Sequence, residues 1–220
     1  MTGQDALLIM DMQNDFCPGG ALPVKEGNVV VPVINSLMEC FSIIAATQDW
    51  HPPNHKSFAS MHPGKNLYDM IELHGNEQVL WPDHCVQGTI GAELHEGLDT
   101  TKLHAIFRKG INPEIDSYSG FRDNLKKHVT GLDGYLKVLG IKRIHLTGLA
   151  TDYCVYYTAL DGIDSGYETT IIIDAAKGID LPPGSMEEKL SGFKAKGGKI
   201  AHSRDYGLTT EENNGTKGLL

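Results

Sequence analysis

Two hydrophobic patterns alternate along this chain. One is the short continuous apolar run, which suits a strand buried on both faces inside a parallel sheet. It occurs at 5–10, 41–47, 103–107, 143–147 and 169–173, with a shorter instance at 198–202. The other is helical spacing. Between residues 28 and 40 it gathers Val29, Val30, Val33, Ile34, Leu37 and Met38 on one face, with Pro32 in the first turn, where proline is tolerated. Helical spacing returns at 132–139, stopped by Gly140, at 155–160 and at 186–195, with a short piece at 93–98. Strands and helices in alternation predict an α/β fold. The expectation is one doubly wound domain over 1–202, a mostly parallel six-stranded sheet with helices on both faces, and a polar tail over 203–220.

Two polar stretches interrupt this rhythm. Residues 50–91, rich in Pro, His, Gly and Asn, read as a loop, and a loop of that length inside a compact domain is usually functional. It holds His51, His55, His62, His74 and His84, half of the chain's ten histidines. The second polar loop is 111–120.

Composition narrows the function. The 220 residues carry a net charge of -9 with Lys and Arg dispersed, which argues against nucleic acid or an anionic membrane as partner. No apolar stretch reaches the roughly 20 residues needed to span a bilayer, and the N-terminus does not read as a signal peptide. The four cysteines, Cys17, Cys40, Cys85 and Cys154, form no CxxC pair, so reduced thiols in a cytoplasmic protein are expected. The end of the first strand carries Asp11-Met12-Gln13-Asn14 in place of a Gly-rich fingerprint, so nucleotide binding is not expected.

Three chemically capable side chains, Asp11, Lys109 and Cys154, fall at or just beyond the carboxyl ends of three separate predicted strands. In open α/β sheets those ends converge where ligands bind. Cys154 lies in Gly148-Leu149-Ala150-Thr151-Asp152-Tyr153-Cys154-Val155. Gly148 ends a strand there, and Thr151 or Asp152 can cap the next helix. A cysteine in a first helical turn is favoured as thiolate by free N–H groups and the helix dipole. Lys109 would favour the thiolate and then a tetrahedral oxyanion, while Asp11 could accept the thiol proton and pass it to a leaving amine. The bland alternative is an ion pair beside a buried cysteine. Three such residues at corresponding positions favour catalysis.

Five motifs now align in one order: Asp11-Met12-Gln13-Asn14-Asp15-Phe16, Asp49-Trp50-His51-Pro52, Trp81-Pro82-Asp83-His84-Cys85, Lys109-Gly110 and the stretch from Gly148 to Val155. Together, from near residue 5 to about 202, they resemble the nicotinamidases among the isochorismatase-like cysteine hydrolases. The resemblance implies hydrolysis of nicotinamide to nicotinate and ammonia through a thioester, in NAD salvage. It makes Asp11 the general base and then acid, Lys109 the electrostatic stabiliser and Cys154 the nucleophile. It also implies an oxyanion hole from backbone N–H groups of Ala150 and Cys154, with a cis peptide at Leu149–Ala150.

The same resemblance turns Asp49, His51 and His84 into a metal site. Asp49 and His51 point the same way from extended backbone, and the carboxylate-imidazole-imidazole set suits one divalent ion, Zn²⁺ first, with Fe²⁺ or Mn²⁺ as alternatives. Ser57 is the candidate for a further, water-linked ligand. His55, His62 and His74 are expected to be solvated. Phe16, Leu22, Trp81, Tyr118 and Leu149 are the expected walls of a pocket for a planar ring. Cys17 and Cys40 are expected to be unreactive, with Cys85 only a minor candidate as a soft ligand. The substrate would be a small heteroaromatic carboxamide, nicotinamide or pyrazinamide, and the oligomeric state stays open, a homo-oligomer included. A ureido or N-carbamoyl compound or isochorismate is the alternative substrate, and a non-catalytic metal-binding protein the alternative class.

Overall fold

The computed structural model describes residues 3–208. In chain order its regular elements are β1 (Asp5–Met10), α1 (Val31–Met38), β2 (Ile43–Asp49), β3 (Met70–Leu73), β4 (Asn76–Val79), β5 (Ala105–Lys109), α2 (Leu132–Val138), β6 (Arg143–Leu149), α3 (Tyr156–Asp164), β7 (Glu168–Lys177), α4 (Ser185–Ala195) and β8 (Lys199–Ala201). Six strands form one sheet in the order β5-β2-β1-β6-β7-β8, and every pairing within it is parallel.

The central strand explains the layering. β1 is buried from end to end, and its alternate side chains enter opposite layers. Leu7 and Ile9 pack with Val33, Ile34 and Leu37 of α1 on one face. Ala6, Leu8 and Met10 join Leu136 of α2, Ala159 of α3 and Phe193 of α4 on the other. From β1 the chain winds outward through β2 to β5, then returns to β6 and winds the other way to β8. That reversal beside β1 leaves a crevice at the carboxyl ends of the strands.

The structure departs from expectation in four places. The loop at 50–91 contains an antiparallel hairpin, β3 with β4, whose turn residues His74 and Gly75 both have positive φ, 51° and 81°, as a two-residue hairpin turn requires. The segment 93–98 is not helical. Residues 93–95 run beside 12–14, with Asn14 N–H donating to Glu93 O at 3.0 Å and His95 N–H to Met12 O at 2.7 Å, and the chain then turns at 96–97. The second strand starts at Ile43 because its pairing with β1 begins at Ala6, and it carries Asp49 as its last residue. The expected tail begins too early. Ser203–Tyr206 is a short 3-10 turn in which Ser203 bonds Asp174 and the Tyr206 hydroxyl meets His145 Nδ1 at 2.7 Å. The rest of that expected tail, 209–220, lies outside the described residues. Among the described residues no helix is long and apolar enough to cross a membrane.

Candidate active site

Four strand ends deliver the site. Asp11 follows β1 directly, at φ 45°, a left-handed conformation that aspartate tolerates better than most residues. Thr47 on β2 fixes its carboxylate: the hydroxyl donates to Asp11 Oδ1 at 2.6 Å and accepts from the Asp11 N–H at 3.2 Å. Lys109 ends β5. Its buried ammonium donates to Asp49 Oδ1 at 2.6 Å and to Ser117 O at 2.8 Å. The same nitrogen lies 3.0 Å from Asp11 Oδ2 and 3.4 Å from Cys154 Sγ.

Cys154 belongs to a π-helical turn, Thr151–Val155, that leads from β6 into α3. Neither Thr151 nor Asp152 caps it; the N-cap is Ala150 and no side-chain cap bond forms. The Asp152 carboxylate instead accepts from the N–H groups of Ile179 and Asp180 at 3.0 and 2.8 Å. Gly148 makes the turn possible. It sits at φ 100° so close to β1 that a Cβ would run into the Met10 backbone. The Leu149–Ala150 peptide is cis, as the resemblance implied.

The electrostatics differ from the sequence expectation in one respect. Burial pushes the Cys154 thiol well above the ordinary value, and Lys109 pulls it back only in part. The start of a helix therefore does not make a resting thiolate here. Burial also raises the Asp11 carboxyl, against the pull of Lys109. Lys109 itself stays charged, because burial, which opposes its charge, is outweighed by Asp11 and Asp49. The resting site thus holds a thiol proton beside a carboxylate of raised basicity, with an ammonium touching both.

Asp49 divides its two oxygens between neighbours. While Oδ1 takes Lys109, Oδ2 faces His51 Nε2 at 3.6 Å and His84 Nε2 at 3.9 Å. His51 Nδ1 bonds Gly110 O at 2.9 Å and His84 Nδ1 bonds Pro82 O at 2.8 Å, so both rings turn Nε2 toward the same point. Gly110, at φ 65°, has no room for a Cβ beside the His51 ring. Burial draws His84 down to about 4, which leaves it a neutral imidazole. Burial opposes a proton on His51 too, but Asp49 draws its pKa up; a bound cation would take that proton's place. His51 Nε2 is buried without a hydrogen-bond partner, and the three ligand atoms lie within 4.8 Å of one another. These residues fit a divalent first-row ion.

His55 is buried, not solvated. The loop curls inward, with His55 N–H donating to Pro52 O at 3.0 Å, and sets the ring 4.3 Å from that of His51. Ser57, the candidate further ligand, is buried and spends its hydroxyl on His55 Nδ1 at 2.7 Å. His55 also groups with His51 and Asp116. His62 is half-buried and bonds Lys56 O at 2.7 Å, while His74 is exposed in the hairpin turn.

A cavity opens in front of the thiol. Phe16, Leu22, Trp81 and Tyr118 line it as expected, together with Asp49, His84, Ala150 and Cys154. Leu149 does not; it is fully buried in the core, because alternation along β6 turns its side chain away from the opening. Asp116, Tyr153 and Ile179 also line the cavity and were not anticipated. Asp116 and Ile179 sit in loops with no periodicity to place them. Tyr153 adjoins the nucleophile, which was the available signal.

Comparison with known proteins gives a consistent picture. The isochorismatase domain pattern matches residues 5–205. The nicotinamidase of Acinetobacter baylyi is 48% identical over 91% of this chain and 93% of its own length, and that of Escherichia coli is 44% identical over 91% and 96%. Among solved structures, the nicotinamidase pyrazinamidase of Acinetobacter baumanii superposes with a TM-score of 0.91 at 46% identity, covering 93% of this chain and 99% of that one. The yeast nicotinamidase bound to the inhibitor nicotinaldehyde gives a TM-score of 0.86 at 31% identity, over 90% and 99%. The pyrazinamidase of Pyrococcus horikoshii in complex with zinc gives 0.72 at 37% identity, over 90% and 99%.

Proposed function

The chain belongs to the isochorismatase family, and from that premise we propose that it is a nicotinamidase acting through Asp11, Lys109 and Cys154. The observation that carries the reading is one buried ammonium within 3.0 Å of a carboxylate and 3.4 Å of a thiol, in a chain 48% identical to a nicotinamidase.

Asp11 takes the Cys154 proton as sulfur attacks the carboxamide carbon, and Lys109 offsets the negative charge that develops. The Ala150 and Cys154 N–H groups receive the oxyanion. Asp11 returns the proton to the amide nitrogen, the C–N bond breaks and ammonia leaves a thioester on Cys154. Water then attacks the thioester with Asp11 taking one of its protons and passing it to sulfur, which leaves as the thiol; the acid so formed gives up the second proton to solvent and departs as nicotinate.

Asp49, His51 and His84 would hold a divalent ion; zinc is the first candidate, since the Pyrococcus relative is in complex with zinc. When bound, the ion supplies a Lewis acid for the pyridine nitrogen. Phe16, Trp81 and Tyr118 would flank the ring, as a planar ligand requires. The four free cysteines fit the cytoplasmic setting we infer.

The test is ammonia release across nicotinamide, pyrazinamide and N-carbamoyl amino acids. Turnover of the two carboxamides with the carbamoyl compounds inert is the expected result. Preference for a carbamoyl compound would move the substrate assignment to the related hydrolases.

A further inference from the structure

Lys189 on α4 reaches beneath the nucleophile turn. Its Nζ donates to the Asp152 carbonyl at 2.7 Å and lies 4.3 Å from the centre of the Tyr153 ring, with Tyr157 and Tyr156 at 5.5 and 5.7 Å. Among the described residues it forms no ion pair within 4.0 Å; its direct contacts are a carbonyl and aromatic faces, while the carboxylates of Asp152 and Glu188 act on it from farther off. Burial lowers its pKa from the ordinary lysine value. The ammonium has therefore exchanged part of its water for these rings, the condition in which cation–π contact is strongest.

Tyr153 is where this contact acts. Its ring meets Trp81 edge-on at 5.1 Å and Tyr118 at 5.5 Å. It lines the inner cavity beside Cys154 and also an outer vestibule walled by Tyr68, Leu181 and Lys189. Trp81, Tyr118 and Ile179 line both spaces as well, and within this shared wall the Tyr153 ring is the member that touches both the aromatic edges of Trp81 and Tyr118 and the Lys189 cation. Through Asp152 the same ammonium also grips the turn that carries the thiol.

We propose that Lys189 is a positioning residue for substrate binding: it holds Tyr153 and the Thr151–Val155 turn so that the inner cavity closes around a planar ring. The inference rests on the nicotinamidase reading for its substrate, though not for its geometry. It concerns the grip on the ring and not the proton transfers, so it separates KM from kcat.

The experiment compares wild type, Lys189→Met, which keeps a long stem without charge, and Lys189→Arg, which keeps a cation able to stack. Steady-state ammonia release from nicotinamide, alkylation of Cys154 by iodoacetamide and thermal midpoints are measured on each. Lys189→Met is expected to raise KM about fivefold or more with kcat within about twofold. It should also speed alkylation about threefold while moving the midpoint by no more than about 2 °C, the shift of a change below roughly 1 kcal/mol. Lys189→Arg is expected to restore KM and alkylation to near the wild-type values. Unchanged KM and alkylation in Lys189→Met would overturn the proposal. So would an arginine variant no better than the methionine one, or a joint fall of kcat and midpoint, which marks a merely structural role. Wild type that releases no ammonia from nicotinamide would sink the functional reading instead, and the alkylation rates alone would then decide the role of Lys189.

Discussion

Asp11 is the residue on which the chemistry turns, since its carboxylate meets the ammonium of Lys109 and lies in one buried cluster with the Cys154 thiol, within 4.8 Å of it. Its pKa is raised from the ordinary 3.8, by burial first. A base works only when deprotonated, so activity is lost as pH falls through the raised value. The acidic limb of kcat/KM should therefore lie above pH 3.8. A pH–rate profile checks this, and a limb at or below that pH would contradict the assignment of Asp11 as base. Asp11, Lys109 and Cys154 were legible in the sequence because each follows a recognisable strand, and strand ends converge. Thr47, Asp116 and His55 were not. Thr47 reads as an ordinary strand residue, and the burial of the other two depends on how a loop without periodicity folds back over the sheet.

At the scale of elements, β6, its π-helical turn and α3 act as one unit, and Gly148 is its joint. Gly148→Ala forces a side chain into the Met10 backbone at a φ of 100°, so β1 and β6 cannot both keep their pairing. A loss of more than about 3 kcal/mol is expected, read by urea denaturation. A variant within about 1 kcal/mol of wild type would show that the two strands can separate without penalty. The strands of the large sheet were readable because continuous apolar runs suit its buried interior. The hairpin β3–β4 was not, since both strands are four residues long and lie at the surface with little of either buried. Its turn signal, His74-Gly75, was weaker than the Pro- and His-rich composition around it. Helical spacing misled at 93–98, where pairing beside 12–14 won over local preference.

For the molecule as a whole, the winding of the sheet brings the proposed triad and the candidate metal-ligand set onto one edge, and Asp49 links them by giving one oxygen to Lys109 and turning the other to His51 and His84. Purified protein should carry about one divalent ion per chain. Because an ion that binds only the folded chain stabilises it, stripping with a chelator should lower the thermal midpoint as well as ammonia release. His51→Ala should fail to hold the ion, by metal analysis. Full occupancy in that variant would place the ion elsewhere. The fold and the two buried clusters, Asp11 with Lys109 and Cys154 and Asp49 with His51 and His84, were visible as order along the chain, whereas the cavity walls needed the packed structure, as Leu149 and Tyr153 illustrate from opposite sides. The measurement that bears most directly on the central claim is ammonia release from nicotinamide by wild type and Cys154→Ala, with metal content determined on the same samples. Turnover by wild type and a loss of at least about 10⁴-fold in the variant, with its ion retained, are the expected results. Turnover in Cys154→Ala within tenfold of wild type would contradict the claim.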